Sequence, residues 1–444
     1  VDVLRSQYST IPTTDIVTAN IESLLDSNTF TVTAAHQPCL FLGPLYNVYK
    51  IASAVALAKQ LKLQYPQYSF VPVFWLGSED HDVEELNHVF VNGKKITWEG
   101  AGTGASGRWS TATMQAVIEE LKATVNQPDV IAILEEGLKK YATFGRLSQY
   151  FVNELFKQHG LVVLDQDDVR LKQLFAGYIK DEVLNSRATK ELKPTIDFLD
   201  ANYKAQAKPR DINFFYLGDG YRDRIVLNED SGRYEVNNKG ILFSRDEIVA
   251  EIHNHPERFS PNVIFRPLYQ EVILPNLAFV GGANELNYWL ELKPLFDYYS
   301  VNYPMQIMRS SVALLTPPVL KKLDKLGLTA VQFLGDVDQL INNYVKQGLT
   351  DDANLAVEKQ KAEELFGLII AKAEKADATL KQSATTEKQK LLTALDNLEG
   401  KMLKAEKRKQ ETTVNQIRSI QDALFPGGIG QERYENFIPF YHPT

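Results

Sequence analysis

The stretch SFVPVFWLGSEDHD, Ser69–Asp82, decides how the chain folds. The segment up to Leu76 is mostly apolar without alternating polar residues, which is typical of a strand buried on both faces of a parallel sheet. Gly77 ends the run, and ionisable side chains follow at once. The pattern therefore predicts a central strand whose polar end lies at the carboxyl edge of the sheet, where open α/β sheets bind ligands.

Other segments repeat this order of an apolar run, then polar or glycine residues, then a helix. They predict an α/β core with a parallel sheet, interrupted by insertions at about 92–158 and 181–260. The first insertion reads as a hairpin followed by helices, and the second contains short antiparallel strands. The predicted core strands, besides the first, lie at 30–35, 161–168, 276–282 and 303–308.

The amino-acid composition changes in the C-terminal part of the chain. Residues 349–424 are rich in Lys, Glu, Ala, Leu and Gln and contain no proline. Apolar residues spaced alternately four and three positions apart from Leu391 to Ala405 form a heptad seam. The phase of the heptad pattern shifts after Ala405, and the pattern resumes toward Leu424. A long helix packed on its own domain is one interpretation. We favour a coiled-coil arm bent within 377–387, attached to a core at 1–348 and followed by a tail at 425–444 that returns to the core.

Composition excludes several classes of protein. The chain has 444 residues, 44% hydrophobic residues and a formal net charge of −8, so it has no general attraction to nucleic acid or anionic membranes. No apolar run approaches the ~18 residues needed to span a bilayer. One cysteine, Cys39, excludes an intrachain disulfide and fits a reducing cytoplasm. We expect a cytoplasmic protein without membrane or nucleic-acid partners.

Ionisable side chains crowd the stretch SEDHDVEE, 78–85, directly after the predicted central strand. Carboxylates at a strand end suit an amine or hydroxyl groups, and a histidine such as His81 can serve as an acid or a base, so the pattern indicates substrate binding or acid–base chemistry. Acidic residues that cap a helix N-terminus are the second interpretation, and a metal site is the third. The spacing of His81 and His88 matches no strong metal signature, so we predict no metal.

Two further loops follow predicted strands. In HQPCLFLGPLYNVYK, 36–50, Gly43 and Pro44 predict a turn at a helix start, where free N–H groups favour an anion. The loop lacks the known nucleotide-binding glycine patterns, and its cysteine has apolar neighbours typical of packing rather than nucleophilic catalysis. The second loop, FVGGANELNYW, 279–289, offers Asn284 and Glu285 as polar contacts, or else a helix cap before a packed aromatic helix.

Four segments of the chain are distinctive: HQPCLFLGPLYNVYKI (36–51), PVFWLGSEDHDVEELNHV (72–89), FSPNVIFRPLYQEVILPNLAFVGGANELNYW (259–289) and LFPGGIGQERYENFIPFY (424–441). Together they resemble the cysteine ligase family of bacillithiol biosynthesis. For this chain, the resemblance implies a Rossmann-like core similar to class I nucleotidyltransferases, and a coiled-coil arm that forms a homodimer. It also implies that L-cysteine is joined to glucosaminyl-malate, with no certain cofactor and with ATP or another nucleotide as a candidate co-substrate.

With this resemblance, the residues can be given roles by chemistry. Forming an amide requires a neutral amine, and therefore a general base. We expect His81 to be that base, with Glu79 and Asp82 as alternatives or as anchors for the cysteine ammonium. Arg266 is the natural bidentate partner for malate. The residues expected to bind substrate are His36, Gln37, Gly43, Pro44, Ser78, Asp80, Asn262, Arg266, Gln270, Asn284 and Glu285.

Two other classes of function remain open at this stage. A nucleotidyl or glycosyl transferase would use the same edge of the sheet. A non-catalytic coiled-coil adaptor would need only the arm, but it would not explain the polar loops that cluster at the strand ends.

Overall fold

The structure is a computed structural model that describes residues 1–347 and 355–442, without the side chains of residues 406, 407 and 409. The strands in the described residues are β1 (Thr29–His36), β2 (Ser69–Leu76), β3 (His88–Val91), β4 (Lys94–Thr97), β5 (Val162–Asp165), β6 (Phe214–Gly218), β7 (Tyr221–Asn228), β8 (Arg233–Val236), β9 (Ile241–Phe243), β10 (Phe259–Pro261), β11 (Asn276–Gly281) and β12 (Met305–Met308).

The α-helices in the same residues are α1 (Asp2–Gln7), α2 (Asp15–Ser23), α3 (Leu45–Gln64), α4 (Val83–Leu86), α5 (Met114–Thr124), α6 (Pro128–Lys140), α7 (Phe144–Phe156), α8 (Val169–Asn185), α9 (Arg187–Asn202), α10 (Arg245–Asn254), α11 (Phe265–Ile273), α12 (Ala283–Glu291), α13 (Lys293–Tyr298), α14 (Pro317–Leu326), α15 (Val337–Gln347), α16 (Ala356–Ala376), α17 (Leu380–Lys409), α18 (Glu411–Leu424) and α19 (Gln431–Tyr434).

A five-stranded parallel sheet forms the centre of the first compact unit, which contains Val1–Val312 and the chain from Glu432 onward. Its strand order is β12-β11-β1-β2-β5, and every neighbouring pair is parallel. The predicted central stretch forms β2, which pairs along its whole length with β1 and from Val73 to Leu76 with β5, and which is buried from Val71 to Leu76. The predicted α/β fold with a parallel, Rossmann-like sheet is confirmed.

The long connections between these strands carry additional elements. Between β2 and β5 lie the β3–β4 hairpin and helices α5, α6 and α7. The hairpin turns at Asn92 and Gly93, both with positive φ, as a tight two-residue turn requires. Between α8 and β11 lies an antiparallel sheet of order β10-β6-β7-β8-β9. The β3–β4 hairpin begins at His88, ahead of the predicted insertion at about 92, and the bounds of both insertions stay predictions.

The second compact unit, Ala313–Gln431, is helical. Helices α16 and α17 pair as a hairpin, and Lys359 Nζ lies 2.6 Å from Asp396 Oδ1 and 2.7 Å from Glu399 Oε2. The chain bends between Ala376 and Leu380, inside the predicted stretch 377–387. A further break at Gln410 separates α17 from α18, where the heptad phase slips.

The start of this unit differs from the boundary that the sequence indicates. Residues 313–347 were expected in the core, but α14 and α15 pack with α18 in one apolar cluster, because the three helices share buried faces. The predicted boundary at 348/349 itself lies outside the described residues. The buried members of the cluster are Val319, Leu323, Leu326, Phe333, Ile341, Val345, Ile417, Ile420 and Leu424.

Candidate active site

A cleft of about 660 Å³ opens at the carboxyl edge of the parallel sheet, within the first unit. The chain proceeds from β1 to β2 on one side of the sheet and returns through β11 on the other, so the strand order reverses at β1. Ligands of open α/β sheets bind in the crevice at such a switch point. The cleft therefore lies where this type of fold places a binding site.

The wall of the cleft carries more positive than negative side chains. This excess contrasts with the net charge of −8 for the whole chain. It favours ligands with carboxylate or phosphate groups, although an acidic patch is also present. The cations are Lys50, Lys208, Arg210, Arg222, Arg266, Arg309 and Arg433, and the acids are Asp80, Asp82, Glu85 and Glu285.

Asp80 and His81 lie in the cleft wall, as the sequence predicts for the end of β2. Asp80 Oδ1 accepts a hydrogen bond from the backbone N of His81 (2.8 Å), and Gln37 Nε2 donates to Asp80 Oδ2 (3.2 Å). Burial opposes ionisation of Asp80, but its contact with His81 and the charge of Arg222 lower its pKa to about 2. Asp80 is therefore a carboxylate at neutral pH, suited to an amine.

Asp82 and Glu85 extend this acidic patch. Asp82 is the N-cap of α4, where its Oδ1 accepts from Glu85 N (3.3 Å), so it both caps a helix and lines the cleft. Burial, and then the charges of Asp80 and Asp82, raise the pKa of Glu85. Glu85 was not among the residues expected from the sequence, although it belongs to the acidic stretch that the sequence singles out.

Ser78 and Glu79 are buried behind the cleft rather than in its wall. Glu79 forms an ion pair with Lys172 in which both side chains are 0% exposed. Its Oε2 accepts from Gln166 Nε2 (3.0 Å) and Ser260 Oγ (2.8 Å). Ser78 Oγ donates to Asp165. These contacts connect β2 to α8 and β10, so the structure does not bring either residue to a substrate.

His36 lines the inner wall of the cleft as a neutral imidazole. Burial, and then the nearby charge of Lys50, lower the pKa of His36 to about 3. Its Nδ1 lies 3.1 Å from the Gln37 carbonyl and therefore donates, so Nε2 accepts from the Tyr46 hydroxyl (3.1 Å). His36 has both ring nitrogens occupied and acts as a fixed part of the wall.

Gly43 and Pro44 do not line the cleft. The backbone N of Leu45, at the first turn of α3, donates to the Glu435 carbonyl (2.8 Å), because the C-terminal tail covers this helix start. Gly43 has φ +66°, and a Cβ there would meet Cys39 Cβ at 2.9 Å, so glycine is needed for close packing. The anion expected at this helix start is replaced by the tail of the chain itself.

A buried lysine, Lys50, points to the cleft from α3. Its Nζ lies 2.6 Å from Glu285 Oε2 and donates to the Ala35 carbonyl (3.2 Å). Burial, opposed by Glu285 and reinforced by the charges of Arg266 and Arg309, lowers the pKa of Lys50. Glu285 also accepts from the backbone N of Gly282 (2.9 Å) at the start of α12. Asn284 lines the cleft beside this pair.

Arg266 lies in the cleft wall on α11, as the sequence predicts. Its Nη1 donates to Gln270 Oε1 (3.1 Å) and its Nη2 to the Tyr288 hydroxyl (3.4 Å). Gln270 is fully buried and positions Arg266 from behind. Asn262 Oδ1 accepts from the backbone N of Ile264 (2.9 Å), so Asn262 shapes the start of α11 while it lines the cleft.

The C-terminal tail contributes Glu432, Arg433 and Asn436 to the cleft and its surroundings. Arg309, after β12, donates from Nη1 and Nη2 to Glu432 Oε2 (2.9 Å) and Oε1 (2.7 Å) in a buried, two-bond ion pair. Arg433 follows directly and lines the cleft. Asn436, fully buried, donates to the Phe41 carbonyl (3.0 Å) and holds the loop after β1. The tail therefore helps to build the cleft.

Sequence reasoning missed several residues of the wall. A signal existed for Lys50, because it falls in the buried stripe of α3 together with Asn47, Ile51 and Ala54. Arg222 and Arg433 gave no local signal, since each reaches the cleft only through the tertiary fold.

In the described residues, no group of His, Cys, Asp and Glu side chains is arranged to hold a metal ion. Within 1–347 and 355–442, no helix combines the length and apolar character needed to cross a membrane. The absence of a metal from the reaction stays a prediction.

The fold and the cleft define a Rossmann-like domain with a ligand site at the carboxyl edge of its sheet, followed by a helical domain. The family model "Bacillithiol biosynthesis BshC, N-terminal Rossmann-like domain" matches residues 1–310, and "Bacillithiol biosynthesis BshC, C-terminal coiled-coil domain" matches 312–443. The chain belongs to the BshC family of bacillithiol biosynthesis. The resemblance seen in the sequence and the predicted coiled-coil domain are confirmed.

Curated relatives named "Putative cysteine ligase BshC" align with 99% of this chain. Proteins from Flavobacterium johnsoniae and Christiangramia forsetii are 39% identical, with 84% and 83% of their own lengths covered, and one from Flavobacterium psychrophilum is 38% identical with 83% covered. A solved structure from Campylobacter jejuni, described as a "putative arginyl t-RNA synthetase", is 10% identical with a TM-score of 0.25 over 95% of this chain and 98% of that chain, and supports no argument.

Proposed function

We propose that this chain joins L-cysteine to the amine of glucosaminyl-malate by forming an amide bond in the cleft. The observation that carries the proposal is that the cleft wall holds an acidic patch, Asp80, Asp82 and Glu85, together with a larger number of cationic side chains. Glucosaminyl-malate carries an amine on its sugar ring and two carboxylates on its malate group. Membership of the BshC family, whose curated relatives are named as cysteine ligases, supports the same reaction.

The cationic part of the wall is suited to the malate carboxylates. Arg266 has only neutral hydrogen-bond partners, Gln270 and Tyr288, in the described part of the chain, so its charge is available to a ligand. A planar guanidinium binds a carboxylate through two parallel hydrogen bonds. Lys50 and Arg309, in contrast, are already paired with the carboxylates of Glu285 and Glu432.

The acidic patch of Asp80, Asp82 and Glu85 is suited to the substrate amine. A carboxylate holds a cationic amine in place, and a neighbouring carboxylate with a raised pKa can accept its proton before attack. The low pKa of Asp80 and the raised pKa of Glu85 divide these two tasks between residues of the same patch.

Amide formation from a free carboxylate is uphill in water, so the cysteine carboxylate needs activation. We expect a nucleoside triphosphate to supply it through an adenylate or an acyl phosphate. Such an intermediate carries phosphate, for which the cationic wall provides the same charge complementarity as for malate. Which nucleotide serves is decided by experiment.

Mass spectrometry of products tests the proposal. The protein is incubated with L-cysteine, glucosaminyl-malate and each nucleoside triphosphate in turn, and omission of cysteine is the matched control. We expect bacillithiol to form with one triphosphate and only when cysteine is present. Turnover of glucosaminyl-malate without cysteine would overturn the ligase and favour a transferase.

We also propose that the chain forms a homodimer through the exposed part of the α17 seam. Leu395 and Met402 are half-buried in the described hairpin, and Ile417, Ile420 and Leu424 are buried in the cluster of the second unit. Leu391 and Leu398, in contrast, are 37% and 48% exposed. These two leucines are therefore the large apolar seam positions left for a second copy.

A Leu391→Glu, Leu398→Glu double variant is expected to be monomeric by light scattering, because two charges at a helix seam oppose association. Thr393→Glu, an exposed position on the same helix outside the seam, is the matched control and should remain dimeric. Unchanged dimers of a folded double variant would place the contact between copies elsewhere.

A further inference from the structure

Arg222 is held rigidly beside the candidate active site. It lies on β7, and its side chain is 8% exposed. Its Nε donates to Ser260 Oγ (2.9 Å) and its Nη2 donates to the Pro261 carbonyl (2.9 Å), while the guanidinium lies 4.0 Å from the centre of the Phe215 ring. Hydrogen bonds and stacking on the ring fix the plane of the guanidinium, so the direction of its remaining N–H groups is set by the fold.

The remaining nitrogen of this guanidinium, Nη1, lies 3.1 Å from His81 Nδ1. A guanidinium has no lone pair to offer, so it can only donate a hydrogen bond. Asp80 Oδ1 lies 3.6 Å from the same nitrogen, which is beyond hydrogen-bond distance, so Arg222 is the nearer partner. His81 Nδ1 must then accept from Arg222, which requires a lone pair on that nitrogen. In the neutral imidazole the proton is therefore on Nε2. Nε2 has no hydrogen-bond partner among the described residues, and the ring, with 42% of its side chain exposed, lines the cleft.

We propose that Arg222 is a positioning residue that fixes His81 in the Nε2–H tautomer, so that His81 presents a hydrogen-bond donor to the substrate rather than a base. This inference rests on the proposed function for its role in the reaction. The donor would meet an oxygen of the substrate, such as a sugar hydroxyl, carboxylate or phosphate oxygen. The amine proton is then left to the carboxylates of the acidic patch.

The backbone supports the same orientation. Asp80 Oδ1 accepts from the backbone N of His81 (2.8 Å), which fixes the peptide from which the ring projects. The same oxygen lies 3.7 Å from Arg222 Nη1, so the charge of Asp80 also holds the guanidinium toward the imidazole. Arg222, Asp80 and His81 act as one unit although Arg222 is 141 residues away in the chain.

Nitrogen NMR tests the tautomer directly. Protein labelled with ¹⁵N in its histidine rings is measured above neutral pH, and a His81→Gln variant identifies the signals of His81. We expect a pyridine-type shift for Nδ1 and a pyrrole-type shift for Nε2. The opposite pattern in the unmodified protein would overturn the proposal, and this measurement does not depend on the folding of any Arg222 variant.

Variants of Arg222 test whether this residue causes the preference of His81 for the Nε2–H tautomer. In Arg222→Met the two tautomers should mix, and Arg222→Lys should restore part of the preference because an ammonium also donates. Arg224→Met, an exposed arginine on the same strand, is the matched control and should change nothing. The unmixed Nε2–H tautomer in a folded Arg222→Met protein would show that something else fixes the ring.

Bacillithiol measured in cells separates this inference from the proposed function. We expect Arg222→Met to lower bacillithiol formation by about tenfold, which corresponds to ~1.4 kcal/mol. Normal bacillithiol in Arg222→Met cells would overturn the role in the reaction even if the tautomer is as proposed. A wild-type protein that makes no amide would overturn the proposed function and leave the tautomer result standing.

Discussion

A Lys172→Met variant is expected to lose about 3–5 kcal/mol from the free energy of unfolding of the first unit. Lys172 and Glu79 form an ion pair in which neither side chain is exposed, and Lys172 Nζ also donates to the Phe259 carbonyl (2.7 Å). Removing the lysine leaves the Glu79 carboxylate in the interior without its partner. The free-energy cost of burying this unpaired charge is larger than the net stabilisation that the ion pair provides.

Tryptophan fluorescence during urea unfolding measures this loss in the correct unit. All of the tryptophans, Trp75, Trp98, Trp109 and Trp289, lie in the first unit. Lys180→Met is the matched control, because Lys180 is exposed on the same helix, α8. An equal urea midpoint for Lys172→Met and Lys180→Met would contradict a structural role for the pair.

A double variant, Lys172→Met with Glu79→Gln, separates structure from catalysis. A neutral pair of similar size avoids an unpaired buried charge, so we expect much of the stability to return. The glutamine can still meet Gln166 and Ser260, which hydrogen-bond to Glu79. We expect cells that carry the double variant to make bacillithiol. If the double variant folded but its cells made no bacillithiol, Glu79 would have a role in the reaction, as the sequence alone indicates.

The position of the cleft could be predicted from the sequence because local pattern determines it. The apolar run of β2 and its polar end are both local, and the edge of a parallel sheet is where such ends meet. The prediction therefore placed Asp80, His81 and Asp82 correctly in the wall. Arg266 could also be placed there, because the resemblance marked its segment.

The direction of individual side chains in the same stretch could not be predicted. Ser78 and Glu79 directly precede Asp80 in the same polar stretch, yet they point into the interior. The reason lies far along the chain, since Glu79 meets Lys172 and Ser260, which follow it by 93 and 181 residues. Only tertiary packing reveals that a carboxylate in a candidate catalytic stretch already has a buried cationic partner.

The apolar seam gave a similarly incomplete prediction. A heptad pattern reports that one face of a helix is buried, but it does not say against what. Leu424 and Ile417 belong to the predicted seam and pack against α14 and α15 of the same chain. For this reason the proposed contact between copies is limited to the part of α17 that stays exposed.

The strongest test of the candidate site is Arg266→Met, which we expect to weaken binding of glucosaminyl-malate by about 10²-fold. Removing one charged partner of a hydrogen-bonded pair typically costs about 2–5 kcal/mol, and 1.4 kcal/mol is tenfold in affinity. Isothermal titration calorimetry measures the change. Arg266→Lys keeps the charge without the planar fork, so it should bind more weakly than wild type and more tightly than Arg266→Met.

A modified ligand shows whether Arg266 acts on the malate carboxylates. The dimethyl ester of glucosaminyl-malate keeps the sugar and the amine but lacks both negative charges. If Arg266 binds these carboxylates, the ester should bind weakly to the wild-type protein and no more weakly to Arg266→Met, because the variant and the ester remove the same interaction. If the Arg266→Met substitution instead weakened binding of the acid and of the ester by the same factor, Arg266 would only support Gln270 and Tyr288. The cationic side chains of the wall would then bind a different ligand.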